Sequence, residues 1–135
     1  MKESLIIAVD FDGTVVEDKY PKIGKPMLFA FETLNQLQAD GHRLILWTYR
    51  HGKKRDEAVA FCKENGIDFY AVNKSYPEEE DVDPKVSRKI HCDLFIDDRN
   101  VGGFPGWGEV YHQINPSSAR VKTEKPKKRG FFKRF

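Results

Sequence analysis

Residues 9–14, VDFDGT, put two carboxylates one residue apart, directly after the apolar run Leu5-Ile6-Ile7-Ala8-Val9. A short apolar run that stops at charged and glycine residues reads as a buried strand, and the strand is followed by helical spacing. Between Pro26 and Asp40, the residues Leu28, Phe31, Leu34 and Leu37 recur at helical intervals, with proline at the start and Gly41 just past the end. Arg43 to Trp47 is a second apolar strand, and Lys53 to Asn65 a second helix with Ala58, Val59 and Cys62 inward and Gly66 as its stop. Asp68 to Val72 reads as a short third strand, Pro84 to Lys89 as a helical turn, and Cys92 to Ile96 as a fourth apolar run ending on Asp97-Asp98. Strands alternating with helices predict a Rossmann-like three-layer α/β/α fold: a parallel sheet with right-handed crossovers and helices on both faces.

Composition sets the scale around that core. With 135 residues, 39% of them hydrophobic and 13% aromatic, the chain matches one ordinary domain. No apolar stretch approaches the roughly 18 residues of a membrane span, so a cytoplasmic protein is expected. Cys62 and Cys92 lack CxxC or Cys/His ligand spacing and read as buried reduced thiols. The sixteen residues from Arg120 to Phe135 hold eight Lys/Arg and one Glu, so a chain of net charge +2 divides into a body of −5 and a tail of +7. Residues 1–119 are therefore read as the globular domain and 120–135 as a basic, flexible tail.

In open parallel sheets, ligands gather beyond the carboxyl ends of the strands. Those positions hold Asp10 and Asp12 after the first strand, Thr48, Tyr49 and Arg50 after the second, and Asp97 and Asp98 after the fourth. Four carboxylates in one crevice repel each other unless a cation binds or some stay protonated. All-oxygen ligands with few protein donors suit Mg²⁺, which keeps its waters and pairs with phosphate oxygens. In phosphate chemistry one carboxylate can attack phosphorus while a second acid protonates the leaving oxygen and later activates water. Asp10 and Asp12 fit these roles, with Thr48 and a lysine before the fourth strand as donors to the transferring group.

The stretches DFDGT (10–14), WTYR (47–50) and KIHCDLFIDDRN (89–100), in this order and each at a strand end, resemble the motifs of the haloacid dehalogenase-like (HAD) superfamily. Most members of that superfamily are Mg²⁺-dependent phosphatases. The resemblance covers residues 4–108 and leaves the tail out. It implies that Asp10 is nucleophile and metal ligand, and that Asp12 is general acid/base and binds metal through its main-chain carbonyl. It further implies that Thr48 hydrogen-bonds the phosphoryl group, that Asp97 holds Mg²⁺ directly or through water, and that Asp98 orients the metal or the lysine. For that lysine, Lys89 resembles the residue preceding an ADxxIDD-like strand, and Lys85 is the second candidate.

Larger members carry a cap domain between motifs. The 35 residues between Asp12 and Thr48 and the 40 between Thr48 and Lys89 are filled by core elements, so a capless site is expected, open to bulky substrates or covered by a neighbouring subunit in a homo-oligomer. Residues 73–84 are the one candidate lid, but Glu78, Glu79, Glu80 and Asp81 favour a solvated acidic loop over phosphate contact. Gly13 and Thr14 are read as shaping the turn that brings backbone N–H groups to the phosphoryl oxygens. Arg50, and less strongly Arg99, are read as substrate contacts that could equally pair with neighbouring aspartates. His51 follows the second motif as a loop residue. Gly102 to Gly108 is read as a flexible loop in which Trp107 packs into the core.

The function expected is a Mg²⁺-dependent phosphatase for a phosphomonoester, with nucleotides or sugar phosphates as plausible substrates. The alternative is a regulatory module acting through its basic tail on anionic lipid or nucleic acid. A phospho-acceptor receiver domain is disfavoured, because receivers place the acceptor after the third strand and the acidic pair after the first.

Overall fold

A computed structural model describes residues 4–80, 85, 87 and 89–116. The apolar run before Asp10 becomes β1 (Ile6–Val9), followed by β2 (Val16–Lys19), β3 (Lys22–Pro26), α1 (Ala30–Ala39) and β4 (Arg43–Leu46). The chain continues through α2 (Gly52–Glu64), β5 (Ala71–Val72), β6 (Leu94–Ile96) and α3 (Trp107–Ile114). The four-stranded sheet has the order β5-β4-β1-β6 and is parallel throughout, an α/β, Rossmann-like arrangement. Val9 lies beside Leu46 on one side and Ile96 on the other, so the ends of β1, β4 and β6 are level. That register brings the residues following all three strands to one place.

Among the described residues the helices lie on one face of the sheet. Alternate residues Ile7, Val9, Leu44, Leu46 and Ile96 pack with Leu34 and Leu37 of α1, Ala58 and Cys62 of α2, and Trp107 and Val110 of α3. The three described helices therefore share one face. The strand order supplies the reason: the crossovers β1-α1-β4 and β4-α2-β5 step in the same direction, so right-handedness puts both helices on the same side. The return from β5 to β6 steps the other way, and the opposite face, Ala8, Ile45 and Ala71, meets Ile90 from that connection. Among the described residues no helix covers this second face. Pro84, Val86 and Arg88 of the turn expected at Pro84 to Lys89, part of the 73–84 loop and the whole tail from Arg120 lie outside the described residues.

Two elements differ from the sequence reading. The segment between Asp12 and α1 is not a simple loop but holds the antiparallel β2–β3 hairpin, with Tyr20 and a cis Pro21 at its turn. Helix α1 begins at Ala30, and Leu28, which shares its periodicity, is left exposed. The second difference is α3. Within the glycine-rich stretch Trp107 is buried as expected but opens a helix. Tyr111 of α3 donates its hydroxyl to Asp40 Oδ2 at 2.9 Å, tying that helix to the end of α1. Cys62 is fully buried, and its thiol is pushed up to about 12 by desolvation, which agrees with an inert core cysteine.

Candidate metal centre

The sheet's hydrogen bonding carries one residue past β1: Asp10 N–H donates to Ile96 O, and Trp47 N–H to Val9 O, both at 2.9 Å. Asp10 is thereby fixed beside the chain leaving β6. Asp97 and Asp98 follow directly, and one carboxylate oxygen from each of Asp10, Asp97 and Asp98 lies within 4.8 Å of the other two. The loop after β6 is held by its own bonds, Arg99 N–H to Asp97 Oδ1 at 2.9 Å and Asn100 Nδ2 to Asp97 O at 2.8 Å.

Three carboxylates this close perturb each other. Asp10 is pushed up to about 7, first by desolvation and then by the charges of Asp97 and Asp98, with a hydrogen bond from Thr14 acting in the opposite sense. Without a cation, Asp10 therefore gives up its proton only around neutral pH, well above the usual carboxylate range. The donor set, all carboxylate oxygen and partly buried, fits a hard divalent ion such as Mg²⁺ and not a soft one.

The turn after β1 explains how the sequence builds this corner. Gly13 has φ of +88°, a conformation that costs glycine little, and a Cβ there would run into Asp98 Oδ2. Glycine thus lets the two acidic strand ends approach. Thr14 is fully buried and donates its hydroxyl to Asp10 Oδ2 at 3.0 Å, while Asp98 Oδ1 lies farther off at 3.4 Å. Its carbonyl accepts Nε1–H of Trp107 at 2.8 Å, so α3 braces the turn from below. The amides expected to reach outward are spent inside the turn, Gly13 N–H on Val16 O at 2.8 Å and Thr14 N–H on Phe11 O at 3.2 Å. The turn shapes the site, but these two N–H groups do not line it.

Asp12 does not join the three-carboxylate cluster through its side chain. Its oxygens both accept from Arg50, Nε to Oδ2 and Nη2 to Oδ1, each at 2.8 Å. Arg50, only 1% exposed, also donates to Lys22 O at 2.8 Å and Pro21 O at 3.2 Å at the hairpin turn. Its guanidinium lies over the rings of Phe11, at 5.2 Å, and Tyr20, at 5.1 Å. The bond to Asp12 raises its already high pKa, and it stays charged. Of the two readings of Arg50, substrate contact or partner of an aspartate, the structure displays the second. Its amide is set by Thr48 Oγ1, which accepts Arg50 N–H at 3.1 Å, and Thr48 N–H in turn donates to Asn73 Oδ1 at 2.7 Å.

The cluster borders a pocket of about 440 Å³ lined by Asp10, Asp12, Asp97 and Asp98 together with Asp18, Tyr20, Tyr49 and Arg99. Thr48 and Lys89 are not among its walls. Lys89 is exposed, with its N–H on Ser87 Oγ at 3.1 Å, and Lys85 and His51 are exposed as well. Asp18 and Tyr20 escaped the sequence reading because they belong to the hairpin, whose only local signs were the Tyr20-Pro21 turn and Gly24 between short β-prone runs.

No protein-family model matches the chain, and no curated protein matches it. Among solved structures, that of a conserved protein from Bacteroides thetaiotaomicron is similar at 51% sequence identity and a TM-score of 0.76, over 92% of this chain and 94% of that one. At such identity over nearly the full length of both, the chain belongs to the same family as that conserved protein.

Proposed function

We propose that the protein is a Mg²⁺-dependent phosphomonoester hydrolase of the haloacid dehalogenase-like type, working through a covalent intermediate on Asp10. The observation that carries the reading is the convergence of Asp10, Asp97 and Asp98 at level strand ends, with Thr14 orienting Asp10 and Asp12 beside the same pocket.

Asp10, Asp97 and Asp98 would hold the ion, which when bound offsets the negative charge that the carboxylates and a phosphoryl group would otherwise set against each other. An oxygen of Asp10 forms a bond to phosphorus as the bond from phosphorus to the leaving oxygen breaks, and Asp12, which must first take up a proton from solvent, gives that proton to the leaving oxygen. Water then attacks the phosphorus of the aspartyl-phosphate, passes its proton to Asp12, and releases phosphate with Asp10 restored. Because both Asp12 oxygens accept from Arg50, donating a proton requires one of those two bonds to be given up. The donors expected from Thr48 and Lys89 would have to be brought to the phosphoryl group by substrate binding.

The test is phosphate release from a panel of nucleotides, sugar phosphates and phosphopeptides with Mg²⁺ and with chelator. The reading expects release from at least one class that chelation abolishes. Full activity in chelator would rule the mechanism out.

A further inference from the structure

We infer that Tyr20 and Tyr49 form an aromatic platform at the pocket that receives the planar heteroaromatic base of a nucleoside leaving group, so that the preferred phosphomonoester is a nucleoside monophosphate. This rests on the phosphatase reading for the place of the phosphoryl group. The platform itself rests on separate observations.

Tyr49 is 88% exposed, immediately beyond β4, and its ring makes no part of the core. An exposed tyrosine on a mobile loop would mean little. Here its ring meets that of Tyr20 edge to face, with centroids 6.1 Å apart and planes at 67°. Tyr20 is itself supported from beneath by the buried Arg50 guanidinium, which also bonds two carbonyls of the hairpin turn. Two segments 29 residues apart in sequence thus meet in one wall, and the same arginine holds Asp12. Both rings line the pocket that the carboxylate cluster also lines, and the Tyr49 ring is open towards solvent.

A phosphate seated over Asp10 would leave its alcohol portion pointing towards this wall. A flat ring gains from stacking on an open tyrosine face without any particular hydrogen-bond pattern, whereas a bare sugar presents hydroxyls to it. Asp18, also bordering the pocket, offers an acceptor to the amino edge of a base. The pocket volume, about 440 Å³, lies in the range of small-molecule sites.

Adenosine 5′-monophosphate and ribose 5-phosphate differ in the base alone, so they isolate the platform. We expect wild-type kcat/KM to favour the nucleotide by roughly tenfold or more, the usual scale of one base–aromatic stack. Tyr49→Ala should remove most of that preference through KM, with a much larger loss for the nucleotide than for the sugar phosphate, and Tyr49→Phe should restore it. Equal wild-type rates for the two substrates, or equal losses in Tyr49→Ala, would overturn the inference. Should neither compound be hydrolysed, adenosine alone separates the two ideas in a calorimetric titration. Binding to the wild type that weakens roughly tenfold in Tyr49→Ala and returns in Tyr49→Phe upholds the platform although the phosphatase reading has failed, and no binding overturns it.

Discussion

Replacing Arg50 with methionine is the perturbation whose size the structure sets most directly. Methionine keeps much of the stem that fills the space between Phe11 and Tyr20, so the change chiefly removes the charge and its donors. Removing one partner of a buried ion pair costs about 3–5 kcal/mol, because the other charge is stranded. The Asp12 side chain keeps 15% of its surface, facing the pocket, and can recover some water, which points to the low end, about 3 kcal/mol. Pro21 and Lys22 are exposed, so the two carbonyls that lose a donor regain water at little cost. Against a typical domain stability of about 5–15 kcal/mol, this is a large loss. Urea unfolding followed by tryptophan fluorescence would read it as a lower midpoint at unchanged slope. The same substitution in an Asp12→Ala background strands no carboxylate and should cost less than about 1.5 kcal/mol. Equal costs in the two backgrounds, or a wild-type cost under about 1 kcal/mol, would refute the claim that Arg50 and Asp12 act as a pair.

Gly13→Ala should weaken Mg²⁺ binding about tenfold or more, since the added Cβ displaces Asp98 and the backbone at φ +88° resists any residue but glycine; calorimetry of metal binding checks this. For Asp10, the folded-state pKa near 7 lies above the unfolded value, so the folded protein binds the extra proton between about pH 4 and 7. Metal-free wild type should therefore lose stability relative to Asp10→Asn as pH rises through that window and level off above it, and unfolding curves with an opposite trend would contradict the clustering of charges. Trp107→Phe removes the indole donor to Thr14 O and leaves that buried carbonyl without it, which should cost about 1–3 kcal/mol by thermal or urea unfolding and slow phosphate release as the turn under Asp10 relaxes.

The parts of the site visible in the sequence were those whose position follows from strand ends. Asp10, Asp97 and Asp98 each come directly after an apolar run, and a parallel sheet with level strands can only bring them together. What joins them was not visible. Thr14 bonding back to Asp10, and Trp107 bonding Thr14 from 93 residues away, are tertiary contacts with no local periodicity. The hairpin was hidden because its strands are short and charged, and β3 carries Gly24 and ends on Pro26, so neither strand alternates cleanly. Arg50 was ambiguous in principle: an arginine after a strand can face a ligand or an aspartate, and only the hairpin carbonyls decide that it is buried. The placement of the three described helices on one face depended on strand order, which periodicity does not report.

The central claim is that Asp10 attacks phosphorus, and the most direct test is the rate of phosphate release by Asp10→Asn beside the wild type, with Mg²⁺ and a substrate the wild type hydrolyses. Asparagine keeps the size of the side chain and can still hydrogen-bond, but it is a far weaker nucleophile and metal ligand. The account predicts no turnover above the uncatalysed rate from a variant that unfolds at or above the wild-type midpoint at pH 8. Release by Asp10→Asn at a rate comparable with the wild type would contradict it.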